Sequence, residues 1–185
     1  MRSAAARNVS ALEGLTLIAE KGVVEVRDAG PTLRLLGRGS TAPVAAALGL
    51  DEPTRVGRAA EAGPSAMLRL GPDEVLVLAA PAQRGAAMAA SKVLQGSGTG
   101  CFVDVSDRSF GLVLSGARVE DVLASACALN FSAAAFPVGF CTRTLLGKAE
   151  VILWRIGPEV FRLEAGRSFA PYVTKLLAHC VAGLP

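Results

Sequence analysis

The sequence predicts an α+β fold of two small subdomains, each an antiparallel sheet covered by helices. Three observations carry this. Short runs of alternating or β-branched residues are punctuated by Gly and Pro, the pattern of strands in a meander. A hairpin with a Gly-Pro-acid turn occurs twice, at Gly71-Pro72-Asp73-Glu74 and at Gly157-Pro158-Glu159. Each hairpin runs into a helical segment, which has to cover one face of the sheet.

Taken in order, residues 1–12 read as a loose arm. Residues 15–18, 22–27 and 32–36 read as strands. Residues 42–48 read as a short helix with Thr41 as its N-cap and Gly49 as its stop. Residues 51–64 carry no periodicity and read as irregular. Residues 65–70 and 75–78 form the first hairpin, and residues 81–95 form an alanine-rich helix. Gly96-Ser97-Gly98-Thr99-Gly100 reads as a flexible linker. It divides a first subdomain, residues 13–97, from a second, residues 98–185. There, residues 101–105 and 110–114 are strands around a turn at Asp107-Arg108-Ser109. A helix follows over 119–126, with Val119, Val122, Leu123 and Ala126 on its apolar face. Residues 150–155 and 160–163 form the second hairpin, and residues 168–180 the last helix. The two turns lie 86 positions apart. Internal duplication and the coincidence of two common hairpin–helix units both account for that spacing.

The composition excludes several classes. Of 185 residues, 51% are hydrophobic and 19% charged, below the usual ~25% charged, which excludes a disordered chain. The apolar runs at 42–50 and 75–83 fall far short of the ~20 apolar residues a membrane span requires, and the uncharged stretch 122–142 is interrupted by Ser, Asn, Pro and Thr. Lys and Arg exceed Asp and Glu by only three, and aromatics make up 5%. A nucleic-acid binder clusters its basic residues on one face; here they are scattered. The first eight residues hold no apolar core of a secretory signal, and four cysteines lie at spacings unlike metal sites. The expectation is a cytoplasmic chain with free thiols. With a mean hydropathy of +0.44, it carries more apolar residues than one small core needs, and the surplus is expected to face a partner.

Catalytic constellations are scarce. His179 is the single histidine and reads as a residue at a helix C-terminus, where the dipole favours it. A phosphate loop needs Gly-Lys-Ser/Thr before a helix, and residues 96–100 instead precede a strand. No catalytic, cofactor-binding or metal-ligating residue is therefore assigned. Four residues remain as anion or interface contacts. Asp107 and Arg108 share a turn, where an ion pair between them is the simpler reading. Arg143 lies between Thr142 and Thr144, and Arg167 precedes Ser168, itself read as the cap of the last helix.

Several segments together carry a resemblance. Phe102-Val103-Asp104-Val105-Ser106-Asp107-Arg108-Ser109-Phe110-Gly111 continues through Leu112-Val113-Leu114-Ser115-Gly116. This stretch resembles the strand–turn–strand of aminomethyltransferase-like, folate-binding proteins. Leu70-Gly71-Pro72-Asp73-Glu74, Phe136-Pro137-x-Gly139, Thr144-Leu145-Leu146-Gly147-Lys148 and Arg167-Ser168-Phe169-Ala170-Pro171-Tyr172-Val173 follow the order of the gamma-subunit family of heterotetrameric sarcosine oxidases. The resemblance spans residues 48–177 and departs at Val75, where a tryptophan is expected. It implies a non-catalytic structural subunit of a complex that oxidatively demethylates sarcosine to glycine and passes the one-carbon unit to tetrahydrofolate. It places FAD, FMN, NAD, zinc and tetrahydrofolate in the other subunits, and none in this chain. The implied partners are a large flavin- and folate-bearing alpha subunit with beta and delta subunits. A stand-alone folate-binding aminomethyltransferase-like protein and a homo-oligomeric scaffold are the alternatives.

Overall fold

Pairing across the chain, rather than along it, sets the architecture. The computed structural model describes residues 19–20 and 23–184; the expected arm at 1–12 and strand at 15–18 lie outside them. The first half holds β1 (Ala19–Glu20), β2 (Val24–Asp28), β3 (Leu33–Gly39), α1 (Ala42–Leu48), β4 (Arg58–Ala62), β5 (Ser65–Arg69) and β6 (Glu74–Ala79). A 3₁₀ turn, Pro81–Gln83, then leads into α2 (Arg84–Ser97). The second half holds β7 (Gly100–Asp104), a 3₁₀ turn Ser106–Arg108, β8 (Ser109–Ser115) and α3 (Val119–Ala126). It continues with β9 (Cys141–Leu146), β10 (Ala149–Gly157), β11 (Val160–Gly166), a 3₁₀ turn Arg167–Phe169 and α4 (Ala170–Ala182).

Two antiparallel sheets result, ordered β4-β5-β6-β3-β7 and β1-β2-β8-β11-β10-β9. The expected α+β class with helix-covered antiparallel sheets is what the chain adopts. The sheets are not partitioned at residues 97 and 98, however. β7, from the second half, completes the first sheet against β3, and β2, from the first half, joins the second sheet against β8. The exchange is symmetric to the residue. Leu35 of β3 faces Asp104 of β7 while Leu33 faces Ala79 of β6; Leu112 of β8 faces Asp28 of β2 while Phe110 faces Ala165 of β11. The 86-residue spacing also holds between the 3₁₀ turns that open at Pro81 and Arg167 and the helices that open at Arg84 and Ala170. The chain is thus one topology repeated, with the first strand of each repeat exchanged.

Alternation along the strands divides the core into three layers. Leu33, Leu35, Val75 and Val77 pack against Val44 and Leu48 of α1 and Ala87 and Leu94 of α2. Leu112, Leu114, Leu153, Phe161 and Leu163 pack against Val122 and Leu123 of α3 and Val173 and Leu177 of α4. Between the sheets, Ala66, Leu68, Leu76 and Leu78 meet Cys141 and Trp154. The order is helices, sheet, sheet, helices, so both faces of each sheet are covered, and all six residues of β6 are buried. Part of the apolar content thus fills a third core layer between the sheets, at about 25 cal/mol per Å² of apolar area removed from water.

Three local readings also change. β4, the sequence Arg-Ala-Ala-Glu-Ala, has no β-branched residue and was unreadable as a strand; it forms because the two-residue turn at Gly63-Pro64, with Gly63 at φ +55°, folds it onto β5. Residues 96–100 are no linker. Gly96 and Ser97 end α2, Gly98 at φ +69° caps it, and Gly100 pairs with Gly39 inside the first sheet. A Cβ on Gly100 would lie 2.8 Å from the Ser40 carbonyl oxygen, so the close approach demands glycine. Thr41 is the N-cap residue of α1 but makes no side-chain cap hydrogen bond; its hydroxyl donates to Glu52. Ser168 lies within the last 3₁₀ turn, and Phe169, not Ser168, occupies the N-cap of α4.

Candidate functional site

The apolar layer between the sheets gives way to charge where β3, β8 and β11 meet. Leu33 and Leu35 point to the helices, so alternation sends Arg34 between the sheets. On β11, Leu163 and Ala165 likewise leave Glu164 facing inward. The Arg34 Nε donates to Glu164 Oε2 at 2.5 Å and the Arg162 Nε to Glu164 Oε1 at 2.7 Å. Gly111 of β8 lies against this pair: a Cβ there would stand 2.6 Å from Glu164 Oε1 and 2.8 Å from Arg34 Nη2.

The exchanged strands end in matching turns beside it. Asp28, the last residue of β2, accepts from the Gly30 amide at 2.7 Å; Asp104, the last residue of β7, accepts from the Ser106 amide at 3.0 Å and the Ser106 hydroxyl at 2.6 Å. Such turns are a preferred use of Asp, whose side chain stands in for a backbone acceptor. The Ser106 hydroxyl in turn accepts from the Arg34 amide at 2.9 Å, tying the second turn to β3. Between the two turns opens a cleft of about 270 Å³. Asp28, Thr32, Arg34, Arg84, Ser106, Ser109, Gly111 and Arg167 line it. Arg84, at the start of α2, forms an ion pair with Asp104.

On the other side of Arg34 and Glu164 lies a smaller crevice of about 120 Å³, lined among others by Arg108, Arg143 and Glu150. Arg143 of β9 reaches across to Glu74 of β6 at 2.5 Å, and Arg38 of β3 meets the same carboxylate at 2.8 Å. The other contact of Arg143 is Glu150 at 3.5 Å.

The four residues singled out in the sequence therefore separate. Arg108 and Arg143 border the small crevice, Arg167 lines the large cleft, and Asp107 lines neither. Asp107 and Arg108 are exposed on the 3₁₀ turn, and no ion pair among the described residues joins them, because the turn's short spiral carries neighbouring side chains apart. Sequence reading passed over Arg34, Glu164 and Arg155. The first two are marked by a charge flanked by apolar neighbours in a strand. Arg155 is 3% exposed. It donates to the carbonyls of Phe131 at 2.8 Å and Phe136 at 3.1 Å, pairs with Glu120 at 2.5 Å and lies 5.0 Å from the Phe161 ring centre. It thereby fixes the long segment between α3 and β9.

The remaining reactive side chains lie elsewhere. His179 is exposed in the last turn of α4, as its position predicted. Burial pushes the Cys141 thiol up to about 12, against the smaller opposing pulls of the Arg58 charge and the Arg69 carbonyl contact; Cys180 is also raised by burial. Neither is a nucleophile at neutral pH, since the thiolate is the reactive form. Among the described residues no three His, Cys, Asp or Glu side chains gather as a metal site. No helix among them is long and apolar enough to cross a membrane. The charges between the sheets are engaged with one another, Arg34 and Arg162 with Glu164 and Arg38 and Arg143 with Glu74.

The molecule has counterparts. The sarcosine oxidase subunit gamma of Corynebacterium sp. (strain U-96) is 31% identical over 182 residues, 95% of this chain and 87% of that one. The corresponding protein of Corynebacterium sp. (strain P-1) is 34% identical over 143 residues, 76% of this chain and 69% of that one. In the solved heterotetrameric sarcosine oxidase from Corynebacterium sp. U-96, in complex with pyrrole 2-carboxylate, one chain superposes with a TM-score of 0.82 at 29% identity, covering 94% of both chains. The glycine cleavage system aminomethyltransferase T from Bartonella henselae has the same fold over 85% of this chain and 46% of its own, with a TM-score of 0.61 at 14% identity. The profile of the "Sarcosine oxidase, gamma subunit family" matches residues 38–183, and the chain belongs to that family.

Proposed function

We propose that the chain is a structural subunit of a sarcosine oxidase, held against a large flavin- and folate-bearing subunit and contributing shape rather than chemistry. The observation that carries this is the superposition over 94% of both chains on a subunit of a heterotetrameric sarcosine oxidase. Neither a stand-alone folate-binding protein nor a homo-oligomeric scaffold is favoured by that likeness. The absence of a chemical role in this subunit is supported by the placement of its reactive groups: His179 is exposed at the end of α4, and the thiols of Cys141 and Cys180 are protonated by burial. In this reading the assembly demethylates sarcosine to glycine and hands the one-carbon unit to tetrahydrofolate. FAD, FMN, NAD and zinc reside in the alpha, beta and delta partners. Four free cysteines, three of them buried, agree with a reducing cytoplasm.

Affinity purification of the tagged chain from its own cells, followed by flavin absorbance and mass spectrometry, tests this. A flavoprotein is expected to co-purify in fixed ratio and to oxidise sarcosine. Purification of the chain alone, or with no flavin, would overturn the proposal.

A further inference from the structure

The smaller crevice opens at one margin of the layer between the sheets. Leu36 and Leu76 of the first sheet and Ile152 of the second form its apolar walls, with Val105 just past the end of β7. Leu36 faces Val103 across β3 and β7, and Arg38 faces Cys101. Cross-strand partners share a face, so Val103 and Cys101 continue the crevice wall outward. There the cover of the second sheet ends: Val103 is 55% exposed, and Cys101 is the exposed member of the four free thiols. β7 is also an edge strand. The Val105 amide donates to the Arg34 carbonyl and the Thr99 carbonyl accepts from the Ser40 amide. By alternation, the backbone groups of Gly100, Phe102 and Asp104 turn toward the open edge. Open edges are usually blunted by exposed charge or proline; the single charge of β7 is Asp104, which Arg84 already holds.

We propose that this surface receives an extended, acidic segment of the oxidase's large subunit, with an apolar side chain on Leu36 and Val103 and a carboxylate on Arg108. The assignment rests on the reading of the chain as an oxidase subunit. Charge selects the occupant. The ion pairs bordering the crevice set Arg34, Arg38, Arg143 and Arg162 against Glu74, Glu150 and Glu164. Arg108 lines the same crevice, and its guanidinium has no hydrogen bond or ion pair among the described residues. Five guanidinia thus face three carboxylates, and complementary charge fixes the register of an incoming segment. The open edge suits extended backbone, which adds to a sheet by main-chain hydrogen bonds. The crevice, at about 120 Å³, equals on the order of four waters at about 30 Å³ each, room for a single side chain.

Alkylation by iodoacetamide reads this surface through Cys101, since the other three thiols are buried. In the purified complex it is expected to be at least about tenfold slower than in the isolated chain, because an interface excludes solvent. Val103→Glu and Arg108→Glu should each lower the flavoprotein recovered with the tagged chain at least about tenfold, through like-charge juxtaposition. Arg108→Lys should keep most of the recovery, and Lys175→Glu, exposed on α4, all of it. A flavoprotein complex in which Cys101 reacts as fast as in the free chain would overturn the surface and leave the subunit reading standing. So would unchanged recovery in both glutamate variants. A parent chain that brings down no flavoprotein would overturn both readings. Dimers of the isolated chain that Val103→Glu abolishes would seat a second copy here and overturn the assignment to the large subunit.

Discussion

Arg34 of β3 and Glu164 of β11 form an ion pair at 2.5 Å between the two sheets, with side chains only 7% and 4% exposed. Glu164 also accepts from Arg162, so one carboxylate balances two guanidinia. Removing one partner of a buried pair strands the other charge, at a cost of about 3–5 kcal/mol. Glu164→Ala should therefore lower the urea unfolding free energy by about that amount. The double substitution Arg34→Met with Glu164→Leu should recover part of the loss, since it removes the Arg34 charge while Arg162, at 16% exposure, keeps its contact with Thr32. Equal losses in the single and double variants would show that the pair is not coupled.

The thiol of Cys141 gives the stability a sign at high pH. Its folded pKa is pushed from 9.0 up to about 12 by burial, while the unfolded chain retains the ordinary value. Between those two values the unfolded state has lost a proton that the folded state keeps, so stability falls as pH rises from 9 to 12 and is untouched below 9. The slope is at most one proton, about 1.4 kcal/mol per pH unit. Cys141→Ala should flatten this part of the curve in parallel chemical-denaturation series. An unchanged slope would place the thiol outside the linkage.

Exchange of β2 and β7 makes the halves interdependent. A fragment of residues 13–97 lacks β7 and leaves β2 without β8; a fragment of residues 98–185 has the reverse defect. Each is expected to show little native near-ultraviolet circular dichroism alone. Mixing the two should restore the signal, as each supplies the strand that the other's sheet lacks. Two fragments that fold independently would contradict the exchanged topology.

Asp107 and Arg108 are exposed, and their side chains make no mutual ion pair. Alanine at either position should change the stability of the isolated chain by no more than about 0.5 kcal/mol, as for other surface sites. In the proposed oxidase, these substitutions should alter recovery of the complex more than its turnover. A large fall in rate with assembly intact would assign them a chemical role.

The fold was legible wherever local chemistry agrees with the final packing. The helix over Ala42–Leu48 keeps its expected bounds and ends at Gly49 with φ +66°, because glycine takes that conformation without a Cβ penalty. The two hairpin–helix units were legible for the same reason. β4 was not, since its residues have no preference for a strand until β5 pairs with them. The candidate site was legible only in part. Arg167 was read as an anion or interface contact, but its distance in sequence from Arg84 and Asp28 concealed that all three line one cleft.

The sequence by itself determined the class of the fold, the repeated hairpin–helix units and the family, because these rest on periodicity, turn chemistry and residues adjacent along the chain. Tertiary structure alone decided which half supplies β2 and β7 to which sheet, which apolar residues pack between the sheets and which charges meet. The physical reason is that strand pairing and burial reward contacts between residues far apart in sequence. Arg34 and Glu164 are 130 positions apart, and only the stacking of two sheets brings them together in a region where each charge requires the other.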